Sequence, residues 1–214
     1  KMIIKKIKKL KKLISNYNLD GYIIPKNDAY FAEYSFPNRL KTISNFSGSA
    51  GFAIILNNES YLFVDGRYTL QAKIESGKYF KIIEIPKLWP KDILKKYKRK
   101  LSIGFDPQLF TNRTLINQFN FICNLIPIKE NLIDQIYKEK NKDYVSYYYN
   151  LSNKIAGESI NSKINRLLKK IKSKNIDNIF ISAPENVAWL LNLRGKDSPF
   201  SPIPNCKIIL TKSK

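Results

Sequence analysis

Two apolar runs, residues 52–56 and 61–64, are rich in β-branched and aromatic side chains and flank four polar residues, Asn57, Asn58, Glu59 and Ser60. That spacing predicts a β-hairpin with a tight polar loop. Immediately before it stand four small residues, Gly48, Ser49, Ala50 and Gly51, where the backbone can turn sharply or pass close to another group. Asp65 closes the second strand, and its carboxylate can accept N–H bonds from the first turn of a helix over 67–75. The rest of the chain has to be organised around this unit.

Two chemical readings of the glycine cluster fail on spacing. A phosphate loop needs a strand before the glycines and a helix directly after them, whereas a strand follows here. A nucleophile elbow needs Gly-x-Ser-x-Gly, which Asn45-Phe46-Ser47-Gly48-Ser49 does not supply. Serine catalysis also wants a histidine base, and the sequence contains no histidine.

With 214 residues the chain can form one large domain or two small ones. Hydrophobic residues make up 43%, enough for a packed core, and no apolar run approaches a membrane span. Cys123 and Cys206 lie far apart without ligand-like or secretory spacing, which points to a reducing compartment and buried thiols. Nothing behind Lys1-Met2 resembles an apolar signal core with a cleavage site, so a cytoplasmic protein is expected. The net charge of +21 comes almost wholly from lysine, since only Arg39, Arg67, Arg99, Arg113, Arg166 and Arg194 are arginines. Nucleic-acid readers lean on arginine forks concentrated on one face. Lysine spread through every segment instead reads as a bias of solvated faces, with salt-dependent, non-specific adhesion to polyanions.

Residues 2–17 carry Ile3, Ile7, Leu10, Ile14 and Tyr17 on one helical stripe, with lysines opposite. Such a helix can lie on an anionic membrane; the reading adopted is an outer helix covering a sheet. Strands are expected at 22–25, 80–85, 101–105 and 125–128, and helices at 90–100 and 111–123. Asp28 is placed to cap a short helix with Glu33 on its exposed side. The alternation predicts an α/β domain with a mixed sheet flanked by helices. Residues 137–150 are charged and tyrosine-rich; Tyr147-Tyr148-Tyr149 could stack on bases, but reads better as an interdomain packing surface. A second unit follows: a helix bearing Ile160, Ile164, Leu167, Leu168 and Ile171, strands at 178–182 and 206–211, and a short helix over 184–191. One long helix and two strands do not complete a domain, so this unit reads as cut short at Lys214.

Taken in order, several stretches resemble the N-terminal part of the three-domain Xaa-Pro aminopeptidases of the creatinase/prolidase superfamily. They are Asp20-Gly21-Tyr22-Ile23-Ile24-Pro25, then Asp28 with Glu33-Tyr34, then Arg39 ahead of Ile43-Ser44-Asn45-Phe46-Ser47-Gly48-Ser49-Ala50-Gly51. Val64-Asp65-Gly66-Arg67-Tyr68 with Gln71-Ala72, Gly104-Phe105-Asp106-Pro107 and residues 127–134 continue the match. It closes with Ala188-Trp189-Leu190-Leu191-Asn192-Leu193-Arg194-Gly195, Asp197 and Pro202. Tyr30 and Asn45 depart from the family, which commonly has histidine and glycine there.

The resemblance implies a creatinase-type N-terminal domain over 1–135, a linker over 136–157 and a partial second domain of similar α/β fold over 158–214. It implies a full-length hydrolase that removes an N-terminal residue preceding proline from a peptide. Its two divalent metals, usually manganese, would sit in a C-terminal domain outside this chain, which alone would be inactive, with no catalytic or metal-binding residue of its own. The N-terminal domain would then support a homodimer and restrict the substrate cleft. Arg39, Phe46 and Ser47 would form a substrate-facing rim, Arg39 offering a cation to the peptide or, equally, holding a structural salt bridge to Glu33 or Asp28. Asp28, Glu33, Gly48, Gly51, Asp65, Gly66, Arg67 and Tyr68 would carry the structural motif, with Asp65 and Arg67 forming a cap and an internal ion pair. Asn192, Arg194 and Asp197 would brace an interdomain contact. No membrane and no specific nucleic acid is implied as a partner. Two other classes compete: a stand-alone binding or oligomerisation module of this fold, and a basic nucleic-acid-associated protein.

Overall fold

The computed structural model describes residues 2–32, 37–137, 147–197 and 200–212. The chain forms two compact units, Lys1–Lys140 and Asn141–Lys214.

The first unit runs α1 (Met2–Asn16), β1 (Gly21–Pro25), α2 (Arg39–Ser44), β2 (Phe52–Leu56), β3 (Ser60–Asp65), α3 (Thr69–Ser76), β4 (Lys81–Ile85), α4 (Pro90–Leu94), β5 (Ser102–Phe105), α5 (Asn112–Phe119), β6 (Asn124–Pro127) and α6 (Leu132–Ile136). Its strands form one sheet in the order β4-β3-β2-β1-β5-β6. The expected hairpin is its centre: β2 runs antiparallel to β3, with Phe52 opposite Phe63, and to β1, with Pro25 opposite Phe52. The pairs β3–β4, β1–β5 and β5–β6 are parallel, which makes the sheet mixed.

Successive strand side chains point to opposite faces, and here both faces are covered. Tyr22, Ile24, Ala53, Ile55, Leu62 and Val64 pack against α1, α2, α3 and α6 through Leu10, Ile14, Leu40, Ile43, Ala72 and Leu132. Ile23, Ile54 and Phe63 pack on the other face against Leu94 of α4 and Leu115 and Phe119 of α5. The apolar stripe of α1 is thus spent on the sheet. Burying each large apolar side chain contributes about 1.5–3 kcal/mol, which makes the three fully buried central strands the chief source of stability.

Some expectations change at element ends. Helix α4 stops at Leu94 rather than Lys100, because Lys95, Lys96, Lys98, Arg99 and Lys100 would repel one another along a continued helix. Helix α5 stops at Phe119, where Asn120 and Phe121 take positive φ values of 43° and 58°. Asp28 opens a turn over residues 29–30, not a helix: its Oδ1 accepts N–H bonds from Tyr30 (2.8 Å) and Ala32 (3.2 Å). Helix α2 was not anticipated. Asn38 caps it by accepting from the Lys41 N–H (3.0 Å), and Asn45 ends it at φ 70°, a left-handed conformation that glycine adopts freely.

The second unit contains β7 (Tyr148–Asn150), α7 (Asn153–Ala156), α8 (Ile160–Ser173), β8 (Asn178–Ile181), α9 (Pro184–Leu190), β9 (Leu193–Gly195) and β10 (Ile208–Thr211). β7 pairs with β9 and β8 with β10, both antiparallel. The stretch 136–157, expected as a linker, therefore includes a strand and a helical turn built into this unit. The described tyrosines of that stretch are not packed away: Tyr147, Tyr148 and Tyr149 are exposed.

Candidate functional site

The strand pairings bring the sequence motifs to one edge of the six-stranded sheet. Pro25, Phe52, Asp65, Ile85, Phe105 and Pro127 all lie at that edge. It is the carboxyl edge of the parallel pairs, the side on which α/β sheets present their loops for function. The glycine loop 45–51 leads into β2 there, and the Lys26 N–H donates to the Gly51 carbonyl (3.1 Å).

Phe46 is not a rim residue. It is fully buried, and it meets the Tyr68 ring edge-on with centroids 5.8 Å apart. The chain folds back over that ring so tightly that a Cβ on Gly48 would sit 2.2 Å from the Phe46 Cζ. Gly51, at φ 146°, would place a Cβ 2.8 Å from the Phe63 carbonyl oxygen. These two glycines are thus required by close approach and by backbone conformation. An aromatic ring before a glycine turn is as well suited to anchoring the turn as to projecting from it, and anchoring wins here because the core lies directly beneath.

Ser47 remains exposed, but its groups are engaged. Its N–H and hydroxyl both donate to the Glu75 carboxylate (2.7 Å each), and Gln71 Nε2 donates to the Ser47 hydroxyl (2.8 Å) and to Glu75 (3.1 Å). Burial opposes ionisation of Glu75, yet the Ser47 and Gln71 hydrogen bonds hold its carboxyl below the usual range. Ser49 and Tyr68 hydroxyls lie 2.8 Å apart on the loop's other side. Glu75 escaped the sequence reading; its only signal was the i,i+4 spacing from Gln71 on one helix face.

Beside the loop, Asp65 accepts from the Arg67 N–H (2.9 Å) and takes the Arg67 guanidinium on both oxygens (3.1 and 2.7 Å). That bond from Arg67 lowers the Asp65 pKa. Residues Gly66–Tyr68 form a 3-10 turn, so the α-helix starts only at Thr69, two residues later than expected. Gly66 and Arg67 are exposed, and the guanidinium lies 5.4 Å from the Tyr68 ring centroid.

Arg39 is held by a residue that sequence reasoning did not pair with it. Its Nε and Nη2 donate to the two carboxylate oxygens of Asp134 (2.8 and 2.7 Å), tying α2 to α6. The expected partner Asp28 is occupied by backbone N–H groups, and Glu33 lies outside the described residues. Asp106 completes this side of the edge. Its Oδ1 accepts from the Gln108 N–H and its Oδ2 from Asn131 Nδ2 (2.9 Å each), while Asn131 Oδ1 caps α6 through the Ile133 N–H (3.0 Å).

In the second unit Asn192 is buried and serves that unit's own interior. Its side chain accepts from Lys163 Nζ (2.6 Å) and donates to the Glu158 carbonyl (3.0 Å); its carbonyl accepts from the Leu151 N–H (2.8 Å). Lys163 is itself buried and also donates to the Trp189 carbonyl (2.8 Å). Arg194 donates to the Leu193 and Ala188 carbonyls (2.7 and 3.4 Å), and Asp197 accepts from the Asn205 N–H (2.6 Å). The hydrogen bonds described for these three residues lie within the second unit.

Among the described residues no cluster of three or more His, Cys, Asp or Glu side chains could hold a metal ion. Two ions bridged by carboxylates need such a set, and the described side chains do not supply it. Hydrogen bonds hold the loops at the carboxyl edge, and Ser47, Gly66 and Arg67 are exposed there.

A mixed sheet of this order with its motif loops on one edge defines a creatinase-type α/β scaffold. Residues 6–136 match the family model described as "Creatinase/Prolidase N-terminal domain", and residues 139–214 match a second model of the same description. The chain belongs to the creatinase/prolidase N-terminal domain family. It is 32% identical over 209 residues to a probable Xaa-Pro aminopeptidase P of Laccaria bicolor, covering 92% of this chain and 33% of the relative. It is 30% identical to Xaa-Pro aminopeptidase 1 of Dictyostelium discoideum, covering 94% of this chain and 35% of the relative. The chain thus spans about a third of the length of these relatives. The crystal structure of the X-prolyl aminopeptidase of Caenorhabditis elegans, described as a cytosolic enzyme with a di-nuclear active site, superposes with a TM-score of 0.88 at 26% identity. That superposition covers 99% of this chain and 38% of the worm enzyme.

Proposed function

We propose that this chain acts as the non-catalytic N-terminal portion of an Xaa-Pro aminopeptidase. In this reading, hydrolysis is carried out by a dinuclear manganese centre elsewhere in the protein, and the substrates are peptides with proline in the second position.

 The single observation that carries the proposal is coverage: 92–99% of this chain aligns with the first third or so of these enzymes. A cytoplasmic location and a homodimer belong to the same reading. The carboxyl-edge loop is assigned the cleft-restricting role. Proline peptides are short and stiff, and a rigid wall across a cleft selects for them by shape. Ser47 and its Glu75–Gln71 support form that wall, while Phe46 fixes it from below and Arg39 braces it through Asp134.

The test is direct. The purified chain, supplied with manganese and an Xaa-Pro-Pro peptide, releases no N-terminal residue; turnover that survives removal of host contaminants overturns the assignment. An in-frame continuation of the gene beyond Lys214 that encodes Asp, Asp, His, Glu and Glu metal ligands supports the enzyme, whereas a stop codon there favours the stand-alone module. In the full-length enzyme, Ser47→Trp raises KM for longer Xaa-Pro peptides with little change in Tm; unchanged kinetics would remove the cleft role.

A further inference from the structure

The edge of the sheet opposite the motif loops has a different character. There the Asp20 N–H donates to the Ser102 carbonyl (2.7 Å), the Asn57 N–H donates to the Asp20 carbonyl (3.2 Å), and Lys11 Nζ donates to the Asn57 carbonyl (2.8 Å). These bonds frame a cleft of about 460 Å³ whose apolar lining comes from Leu56, Tyr97 and Leu101; Asp20 and Arg99 also line it, and Asn57, Asn58 and Lys98 are exposed around them. Among the described residues, Lys98 and Arg99 line this cleft with the acid Asp20, Lys11 reaches its Asn57 carbonyl, and Lys81 and Lys96 meet Glu59, two residues along from Asn57.

Both acids are already engaged: Arg99 grips Asp20 on both oxygens (2.8 and 2.5 Å), and Lys81 and Lys96 share Glu59. Lys98 and Lys100 are exposed and belong to none of the described ion pairs. The edge therefore combines an apolar cleft with a surplus of positive charge.

We propose that this edge docks an acidic polypeptide segment, one large apolar side chain entering the cleft while flanking Asp and Glu carboxylates meet Lys98 and Lys100. Charge complementarity selects an anion, and the apolar lining selects a side chain rather than a bare charge. Nucleic acid fits less well. The one arginine at the cleft spends its fork on Asp20, and Lys96 Nζ lies 5.2 Å from the Tyr97 ring centroid, over the face on which a base would stack. The inference is independent of the peptidase reading, because it concerns the other edge of the sheet.

Fluorescence anisotropy tests it on the 214-residue chain. The probes are a labelled dodecapeptide of Asp and Glu with one central Phe, the same peptide with Ser in place of Phe, and an oligothymidylate of comparable charge. Replacing Phe by Ser weakens binding at least about tenfold, the loss expected when a buried aromatic contact is removed. The double variant Lys98→Glu, Lys100→Glu weakens the Phe peptide at least as much, whereas Lys154→Glu, Lys170→Glu, with the same change of net charge, shifts it less than about twofold. Asn58→Trp, an exposed position that tolerates bulk, fills the cleft mouth and abolishes the advantage of Phe over Ser. Equal affinity for the two peptides, displacement of the Phe peptide by the oligothymidylate at equal concentration, or no binding of the Phe peptide overturns the proposal.

Discussion

Arg39 and Asp134, 95 residues apart in sequence, meet in a two-pronged ion pair of 2.8 and 2.7 Å. The guanidinium side is largely buried and the carboxylate half exposed. Desolvation works against the charged guanidinium, yet the Asp134 contact outweighs it and raises the Arg39 pKa. The pair fastens the last helix of the first unit to the helix that introduces the glycine loop.

Arg39→Ala should cost about 1.5–3 kcal/mol, the range for hydrogen bonds to charged groups. Urea unfolding of the two single variants and of Arg39→Ala with Asp134→Ala should give a coupling energy of about 0.5–3 kcal/mol. Strict additivity would show that the pair contributes no net stability.

Gly48→Ala should destabilise by about 1–3 kcal/mol, since its methyl group enters the space of the Phe46 ring. Phe46→Leu combined with Gly48→Ala should recover part of that loss, although Phe46→Leu alone is destabilising. Thermal melts of the three variants check this; no recovery would place the strain in the backbone instead.

Asn192→Ala should cost about 1–3 kcal/mol, because Lys163 loses a buried acceptor and the Glu158 carbonyl loses a donor. Lys163→Met in the Asn192→Ala background removes the stranded charge and should restore part of the stability. Melting curves that place the double variant below Asn192→Ala would refute this account of the buried lysine.

Three carboxylates give the stability a defined acid limb. Arg99 lowers the Asp20 pKa, Lys81 and then Lys96 and Tyr61 lower that of Glu59, and Arg67 lowers that of Asp65. A depressed carboxylate contributes fully above its unfolded value, here 3.8 for Asp and 4.5 for Glu, and loses that contribution as pH falls through the folded value. Denaturant midpoints should therefore fall steeply below pH 4.5, and Glu59→Gln with Asp20→Asn should flatten that fall while lowering stability at neutral pH. An unchanged slope in the double variant would assign acid sensitivity elsewhere.

Local pattern disclosed the first unit well. The hairpin was legible because two continuous apolar runs flank a short polar loop, and β1, β4, β5 and β6 because each is a short apolar run bounded by turn residues. Helix α2 was not, since six residues carry too little periodicity and depend on the Asn38 cap and the left-handed Asn45. The motif positions were legible, but not the direction in which each side chain faces. Phe46 points into the core, Asn192 into its own unit, and Arg39 toward an acid that only the tertiary fold brings near. Lys163 gave no signal and Glu75 only its spacing from Gln71, because their partners, Asn192 and Ser47, lie 29 and 28 residues away.

The wedge of Phe46 beneath Gly48 constrains how such a chain can diverge. Substitution at either position disturbs packing before it alters the exposed face of the loop. Variation in the loop's outward chemistry is therefore channelled through Ser47, Gly66 and Arg67, whose solvent-facing surfaces can change while the underlying joint is preserved.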